Sequence, residues 1–315
     1  MVRSLRELMP YGVVVALFAV TSMVSPGFGS LNHLADLLVI GAFTGLSAFG
    51  QTFVIIGGGL DLSVPWVMAA GGILLAVWTQ GPHFLSLSTW MIMGLVILLG
   101  ALIGFVNGFG VTILNVPPII MTLAVGGIIE GIFLNVSQGS ISPVAPHPAV
   151  VLATHKVMGF PVLSIVWLFL ALVAWLTLAY STYGRRLYSV GTNAVASRLA
   201  GIAVWRVRLL TYVISGASAA AAGILLSGYI GTAYLDMGSV YQFASIAAVA
   251  IGGASILGGN GSYWGTVAGA LLLTLIAAIL PLLNLSQAWT EIANGIIILA
   301  AVWIVRSHAL LEKSS

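Results

Sequence analysis

Five acidic or amide side chains interrupt apolar stretches of this chain and have the clearest chemical potential. They are Gln51, Asp61, Asn107, Glu130 and Asn135. An ionisable group among apolar residues at membrane depth is costly and therefore usually faces a cavity or a partner. Amides offer donors and acceptors without net charge, which suits a neutral hydroxylated solute. We expect these five residues to line a path for such a solute, although Glu130 could equally be structural and helix capping is favoured for Asp61.

Catalytic and metal-binding patterns are missing from the sequence. It has no cysteine, and its five histidines show no His-Glu-x-x-His spacing. It has no Gly-x-Ser-x-Gly elbow, so a serine hydrolase has no support. The two lysines, Lys156 and Lys313, follow His155 and Glu312 rather than the glycine of a phosphate-binding loop. We therefore expect no enzyme activity, metal or cofactor on this chain, and any ATP hydrolysis must belong to a partner.

The composition is that of a membrane protein. Hydrophobic residues make up 60% of the 315 positions and charged residues 5%, whereas soluble chains carry roughly a quarter charged residues. Several apolar runs are long enough to cross the hydrocarbon core as helices. The sequence therefore predicts an all-α, polytopic bundle forming one domain over residues 1–315, in contact with lipid and not with nucleic acid.

Apolar runs between Gly and Pro breaks predict about ten membrane spans. These are roughly 10–24, 35–57, 64–80, 88–113, 117–137, 161–180, 208–227, 241–258, 263–281 and 288–305. Short loops rich in Lys and Arg stay in the cytoplasm. Ten spans place both termini and nine of the ten basic residues there, with Lys156 alone in an external loop, 138–160. The first apolar run could also be read as a signal peptide, but it lacks an Ala-x-Ala site, so a retained helix is favoured.

Glycine spacing predicts tight helix packing. Gly100, Gly104 and Gly108 recur every fourth residue, which lets helices approach closely. Packing within the subunit is favoured over a dimer seam. A weak internal echo also relates residues 58–66 to residues 258–264, as in transporters built from repeats.

The basic segment 183–208 has the marks of a short helix. Asn193 is a good N-cap, residues 194–200 favour helix, and Gly201 is a natural stop. A helix of about two turns is too short to be stable alone in water, so docking against another surface would stabilise it. The alternative is a basic loop that only fixes topology or touches anionic lipid.

Three stretches resemble the ribose-type permeases of ABC importers, in the branched-chain amino acid and ribose permease superfamily. The first is Gly-Gly-x-Asp-Leu-Ser-Val at 58–64, and the second is the glycine-rich run 247–265. The third is the pattern Gly-x-Asn-x-x-Ala-x-x-x-x-Gly-Ile at 191–202. Pro65 departs from the family, which more often has glycine there.

The resemblance implies a transport subunit of the bacterial cytoplasmic membrane. It assigns coupling to a partner ATPase to the segment that follows Gly191, namely Asn193, Ala194, Ala196, Ser197, Arg198, Leu199, Gly201 and Ile202. It further implies cytoplasmic ATPase subunits that hold ATP and Mg, a second permease, identical or paralogous, and an extracytoplasmic sugar-binding protein. The alternative function is a stand-alone facilitator or an ion-coupled carrier for a small solute.

Overall fold

The described part of the chain is mostly helical. The computed structural model describes residues 2–80, 87–137 and 143–283, and positions 289, 292, 295 and 296. Within this part, the helices are α1 (Val2–Val24), α2 (Leu31–Ile56), α3 (Val64–Gln80), α4 (Thr89–Thr112), α5 (Pro118–Ser137), α6 (His147–Thr154), α7 (Val162–Tyr180), α8 (Thr182–Thr192), α9 (Ala194–Leu199), α10 (Val204–Ile230), α11 (Tyr241–Ile251) and α12 (Tyr263–Ile279). Strands β1 (Lys156–Val157) and β2 (Phe160–Pro161) form an antiparallel hairpin, and a 3-10 helix, Leu280–Leu283, follows α12.

The predicted membrane bundle is confirmed in outline. Six helices of the described part are long and apolar enough to cross a membrane, namely Leu31–Ile56, Thr89–Thr112, Pro118–Asn135, Val162–Tyr180, Val204–Ile230 and Tyr263–Leu282. Shorter apolar helices occupy three further predicted spans, at Pro10–Val24, Val64–Gln80 and Tyr241–Ile251. The tenth predicted span, 288–305, lies largely outside the described residues. The protein is therefore a multi-pass helical membrane protein.

The eighth predicted span is shorter than its apolar run of 241–258. Helix α11 ends at Ile251, because Gly252 and Gly253 follow and Gly253 has a φ of +85°, a left-handed conformation that stops a helix. Eleven residues rise only about 16 Å, roughly half of the hydrocarbon core. The preceding segment, 231–240, is not a simple surface loop, since Met237 is buried and Gly238 packs against the Pro65 backbone.

Helix α10 lies at the centre of the bundle and packs against α2, α3 and α4. Its contact with α4 is built from glycines. A Cβ on Gly216 would overlap the Gly100 carbonyl oxygen, and one on Gly104 would overlap the Tyr212 carbonyl oxygen. Backbones this close gain dispersion contacts that lipid cannot offer. The expectation that these glycines pack within the subunit is confirmed.

The predicted external loop contains regular structure in its described part, 143–160. Helix α6 turns a face of small residues, Ala149 and Ala153, inward, and Gly228 of α10 packs on the Ala149 backbone. Its prolines are tolerated because Pro148 lies at the helix start, where no amide donor is needed. The Ala145 amide donates to the Gly231 carbonyl over 2.9 Å. The described part of this loop is therefore ordered and packs against the end of α10.

Candidate functional site

Helix α8 anchors the basic segment to the bundle. The Ser181 hydroxyl caps its start by accepting a hydrogen bond from the Gly184 amide over 2.9 Å. Leu187 and Val190 are fully buried, one helical turn apart. The Tyr183 hydroxyl donates to the Val207 carbonyl over 3.4 Å. Burial raises the pKa of the Tyr183 phenol, so that this group remains a protonated donor. Sequence reasoning did not predict α8, although the helical spacing of its apolar residues could have revealed it.

Helix α9 starts where the sequence predicts. The Asn193 side chain accepts hydrogen bonds from the Val195 and Ala196 amides, over 3.0 and 2.9 Å. Two of the amides that have no partner inside the helix are therefore satisfied. The predicted N-cap at Asn193 is confirmed.

The end of α9 is a Schellman motif. Gly201, with a φ of +80°, donates its amide to the Arg198 carbonyl over 3.0 Å. The Ile202 amide donates to the Ser197 carbonyl over 3.0 Å. These two bonds define the motif and explain why glycine is required. Gly201 ends the helix as predicted, and the helix runs for six residues, ending one residue earlier than expected.

The two faces of α9 differ in character. Ser197 is buried, and Ala194 packs against the core. On the opposite face, Val195 and Leu199 are 71% and 85% exposed, with exposed Arg198 between them. Apolar side chains four residues apart form one patch on a helix surface. An ordered helix thus presents an apolar and basic surface, which we call the docking face (Val195, Arg198 and Leu199).

Two glycine-rich segments meet the segment before α9. The Gly259 amide donates to the Ile56 carbonyl over 2.9 Å, and a Cβ on Gly258 would meet Cα of Gly58 at 2.9 Å. A Cβ on Gly191 would overlap both the Ile56 carbonyl oxygen and the Gly259 backbone. We call this contact region the glycine junction, comprising Gly57–Gly59, Gly191 and Gly258–Gly261. The two segments of the predicted internal echo therefore touch each other.

Two side chains of the basic segment tie α8 and α10 to the junction. The Tyr188 hydroxyl donates to the Gly261 carbonyl over 2.7 Å. The Arg208 Nε donates to the Gly57 carbonyl over 3.0 Å. These carbonyls lie in broken backbone at helix ends, where side-chain donors are needed. These two bonds join α8 to the segment that precedes α12, and α10 to the residue that ends α2.

Asp61 and Asn107, two of the predicted pathway residues, lie in one buried cluster. Asp61 Oδ1 accepts hydrogen bonds from the Ser63 amide over 3.0 Å and from the Ser63 hydroxyl over 2.6 Å. Asn107 Nδ2 donates to the Ser63 hydroxyl over 2.9 Å. Asp61 therefore orders Ser63, the residue that precedes α3. Ser63 was not singled out in the sequence, where its hydroxyl is one of many.

The other three pathway candidates lie apart from that cluster. Gln51 is fully buried in α2, and neither atom of its amide has a hydrogen-bond partner among the described residues. On α5, Glu130 is half-buried and Asn135 is exposed. The described residues also contain no group of three or more His, Cys, Asp or Glu side chains that could hold a metal. A role in solute passage remains a prediction for all five residues.

Comparison with known proteins identifies the family to which this chain belongs. The ribose import permease protein RbsC of Haemophilus influenzae is 32% identical, in an alignment that covers 95% of this chain and 93% of the length of RbsC. The probable ABC transporter permease protein YphD of Escherichia coli is 33% identical over 99% of this chain and 92% of its own. The autoinducer 2 import system permease protein LsrC of an Enterobacter species is 33% identical over 94% of this chain and 85% of its own length. No solved structure matches this chain.

The match extends over nearly the whole bundle. Residues 33–302 fit the model of the branched-chain amino acid transport system permease component. That range includes both glycine-rich segments, the docking face and the central helix α10. The chain is a transport component rather than an enzyme, and it belongs to the permease family of ABC importers.

Proposed function

We propose that this chain forms the membrane path of an ATP-driven importer for a monosaccharide or a similar small polar solute. The observation that carries the proposal is the ordered docking face, which leaves Val195 and Leu199 exposed to solvent. An exposed apolar pair on a capped helix is suited to a partner protein. The names of the relatives, for ribose and autoinducer 2, support a small hydroxylated solute.

In the proposed orientation, the glycine junction faces the cytoplasm. Ten spans then place both termini on that side, with α6 and the β1–β2 hairpin outside. The basic residues of α8 and α9, Arg185, Arg186 and Arg198, support this orientation because short basic loops are retained in the cytoplasm. The membrane is proposed to be the bacterial cytoplasmic membrane.

The proposed mechanism is alternating access driven from outside this chain. Partner ATPase subunits hold ATP and Mg, and their closure displaces α9 through the docking face. The displacement passes through Gly191, which is in backbone contact with Ile56 and Gly259. It thereby reaches α3 and α12 and changes which side of the membrane the path faces. A second permease completes the path, and an extracytoplasmic binding protein delivers the sugar.

Reconstitution tests this function. The chain is placed in proteoliposomes with and without its ATPase subunits and binding protein, and uptake of radiolabelled ribose and a panel of other monosaccharides is measured. We expect ATP-dependent uptake from the complete assembly only, because this chain has no nucleotide-binding loop of its own. Uptake by the chain alone would instead support the stand-alone carrier.

A further inference from the structure

A cleft lies beside α8 and meets the glycine junction at Gly261. Its walls come from the last turns of α7, from α8 and from the connection between α11 and α12. Its volume is about 610 Å³, within the roughly 300–1,000 Å³ of sites for small molecules. We call it the α7–α8 cleft, and the lining residues that matter here are Trp175, Leu178, Ala179, Arg185, Ser189 and Asn260.

Hydrogen bonds across its walls give the cleft a fixed shape. The Tyr188 hydroxyl donates to the Gly261 carbonyl over 2.7 Å and so joins α8 to the connection that precedes α12. The Arg185 Nη1 donates to the Tyr180 carbonyl over 3.2 Å and so joins α8 to the end of α7. A ligand that enters a preformed site loses less free energy to the ordering of the protein.

One wall of the cleft is basic and rich in hydrogen-bond donors. Arg185 is exposed, and its bond to Tyr180 uses one of the five N–H groups of a guanidinium. None of the described residues that line the cleft is acidic, so the guanidinium has no counter-charge inside it. Asn260 is exposed on the connection, and its amide adds two further N–H groups. Such donors suit the oxygens of a phosphate group.

The other wall is apolar and lies where a membrane helix ends. Trp175 and Tyr180 pack edge to face near the end of α7, with ring centroids 5.3 Å apart, and such residues favour the membrane–water interface. Leu172 and Leu176 are 42% and 45% exposed. They precede Trp175 and Ala179 by three residues each, so they lie on the same side of α7. The apolar wall therefore continues into surface that faces lipid.

These two walls select the ligand. A free phosphate or a nucleotide would use the basic wall and leave the apolar wall exposed, whereas a neutral lipid would leave Arg185 without a counter-charge. We propose that the α7–α8 cleft binds an anionic phospholipid, with its phosphate at Arg185 and Asn260 and its acyl chains along the exposed side of α7. The bound lipid holds α7 against the connection that precedes α12. The inference is independent of the transported solute and of the partner subunits.

Lipid retention by the purified permease tests this site. The full chain is incubated in detergent with equal amounts of phosphatidylglycerol and phosphatidylcholine, and bound lipid is counted by native mass spectrometry. One basic residue at a membrane surface favours an anionic lipid by about fivefold, and we expect that preference in the first lipid bound. Arg185→Gln should remove the preference. Arg186→Gln is the matched control at the neighbouring exposed arginine, which does not line the cleft, and should keep it.

A second variant and a competitor make the test specific. Ala179→Trp fills the cleft from its apolar wall while keeping Arg185, and it should also remove the preference. Inorganic phosphate, added in excess at constant ionic strength, should leave phosphatidylglycerol bound, whereas displacement would indicate a site for free phosphate and overturn the proposal. Equal retention of the two lipids by the native chain would also overturn it, as would equal losses in Arg185→Gln and Arg186→Gln.

Discussion

Leu199→Asp is expected to abolish ATP-dependent uptake by the assembled transporter while leaving the permease folded in the membrane. Leu199 is 85% exposed, and exposed substitutions usually change stability by less than about 0.5 kcal/mol. In the assembled transporter the new carboxylate would be transferred from water into an apolar contact. Loss of an anchor residue in an interface costs about 2 kcal/mol or more, which is roughly thirtyfold in affinity.

A matched substitution at the other end of the molecule controls for added charge. Met158 is 96% exposed in the turn between β1 and β2, so Met158→Asp adds the same charge away from the docking face. We expect this variant to retain uptake and to co-purify with the ATPase subunit. Normal uptake by Leu199→Asp, or equal losses in both variants, would contradict the role of the docking face.

Gly191→Ala is the second substitution with a large expected effect. A Cβ at this position would overlap the Ile56 carbonyl oxygen and the Gly259 backbone, neither of which can rotate away. Overpacking of this kind costs typically about 1–3 kcal/mol, so the junction must open. We expect the complex to assemble and hydrolyse ATP, while uptake falls about tenfold or more for the same ATP turnover.

The control for this prediction is another helical glycine. A Cβ on Gly94 of α4 would meet no described atom of a neighbouring residue within 4 Å, so Gly94→Ala should leave both activities unchanged. The ratio of sugar transported to ATP hydrolysed separates the two variants. If Gly191→Ala kept the native ratio, the glycine junction would not transmit the movement of α9.

The sequence was sufficient to predict the features of this bundle that depend on local chemistry. Apolar runs located the helices because each span needs about 20 apolar residues. Asn193 and Gly201 bounded α9 because capping and left-handed backbone are properties of single residues in short segments. The resemblance in 191–202 then connected this local structure to a function.

Features that depend on distant contacts could not be predicted in the same way. The burial of Met237 and the packing of Gly238 on the Pro65 backbone depend on how residues 231–240 lie against α3. The contact between Gly191 and Ile56 joins positions far apart in the chain. A glycine in the sequence does not reveal which distant backbone it admits.

The buried cluster at Asp61 shows the same difference between features set by single residues and features set by distant contacts. Asp61 and Asn107 stood out because charged and amide side chains are rare in apolar runs. Ser63, whose hydroxyl joins them, did not stand out, because its bond with Asn107 depends on how α4 packs against the connection between α2 and α3.

The most direct test of the central claim is cross-linking from the docking face to the ATPase subunit. The native chain has no cysteine, so Leu199→Cys and Met158→Cys each provide a single thiol in membranes that contain the whole transporter. With a short thiol-to-amine cross-linker, we predict an adduct between the permease and the ATPase subunit from position 199 and none from position 158. Absence of the adduct from position 199, or equal adducts from both positions, would contradict the proposal that α9 receives the movement of the ATPase.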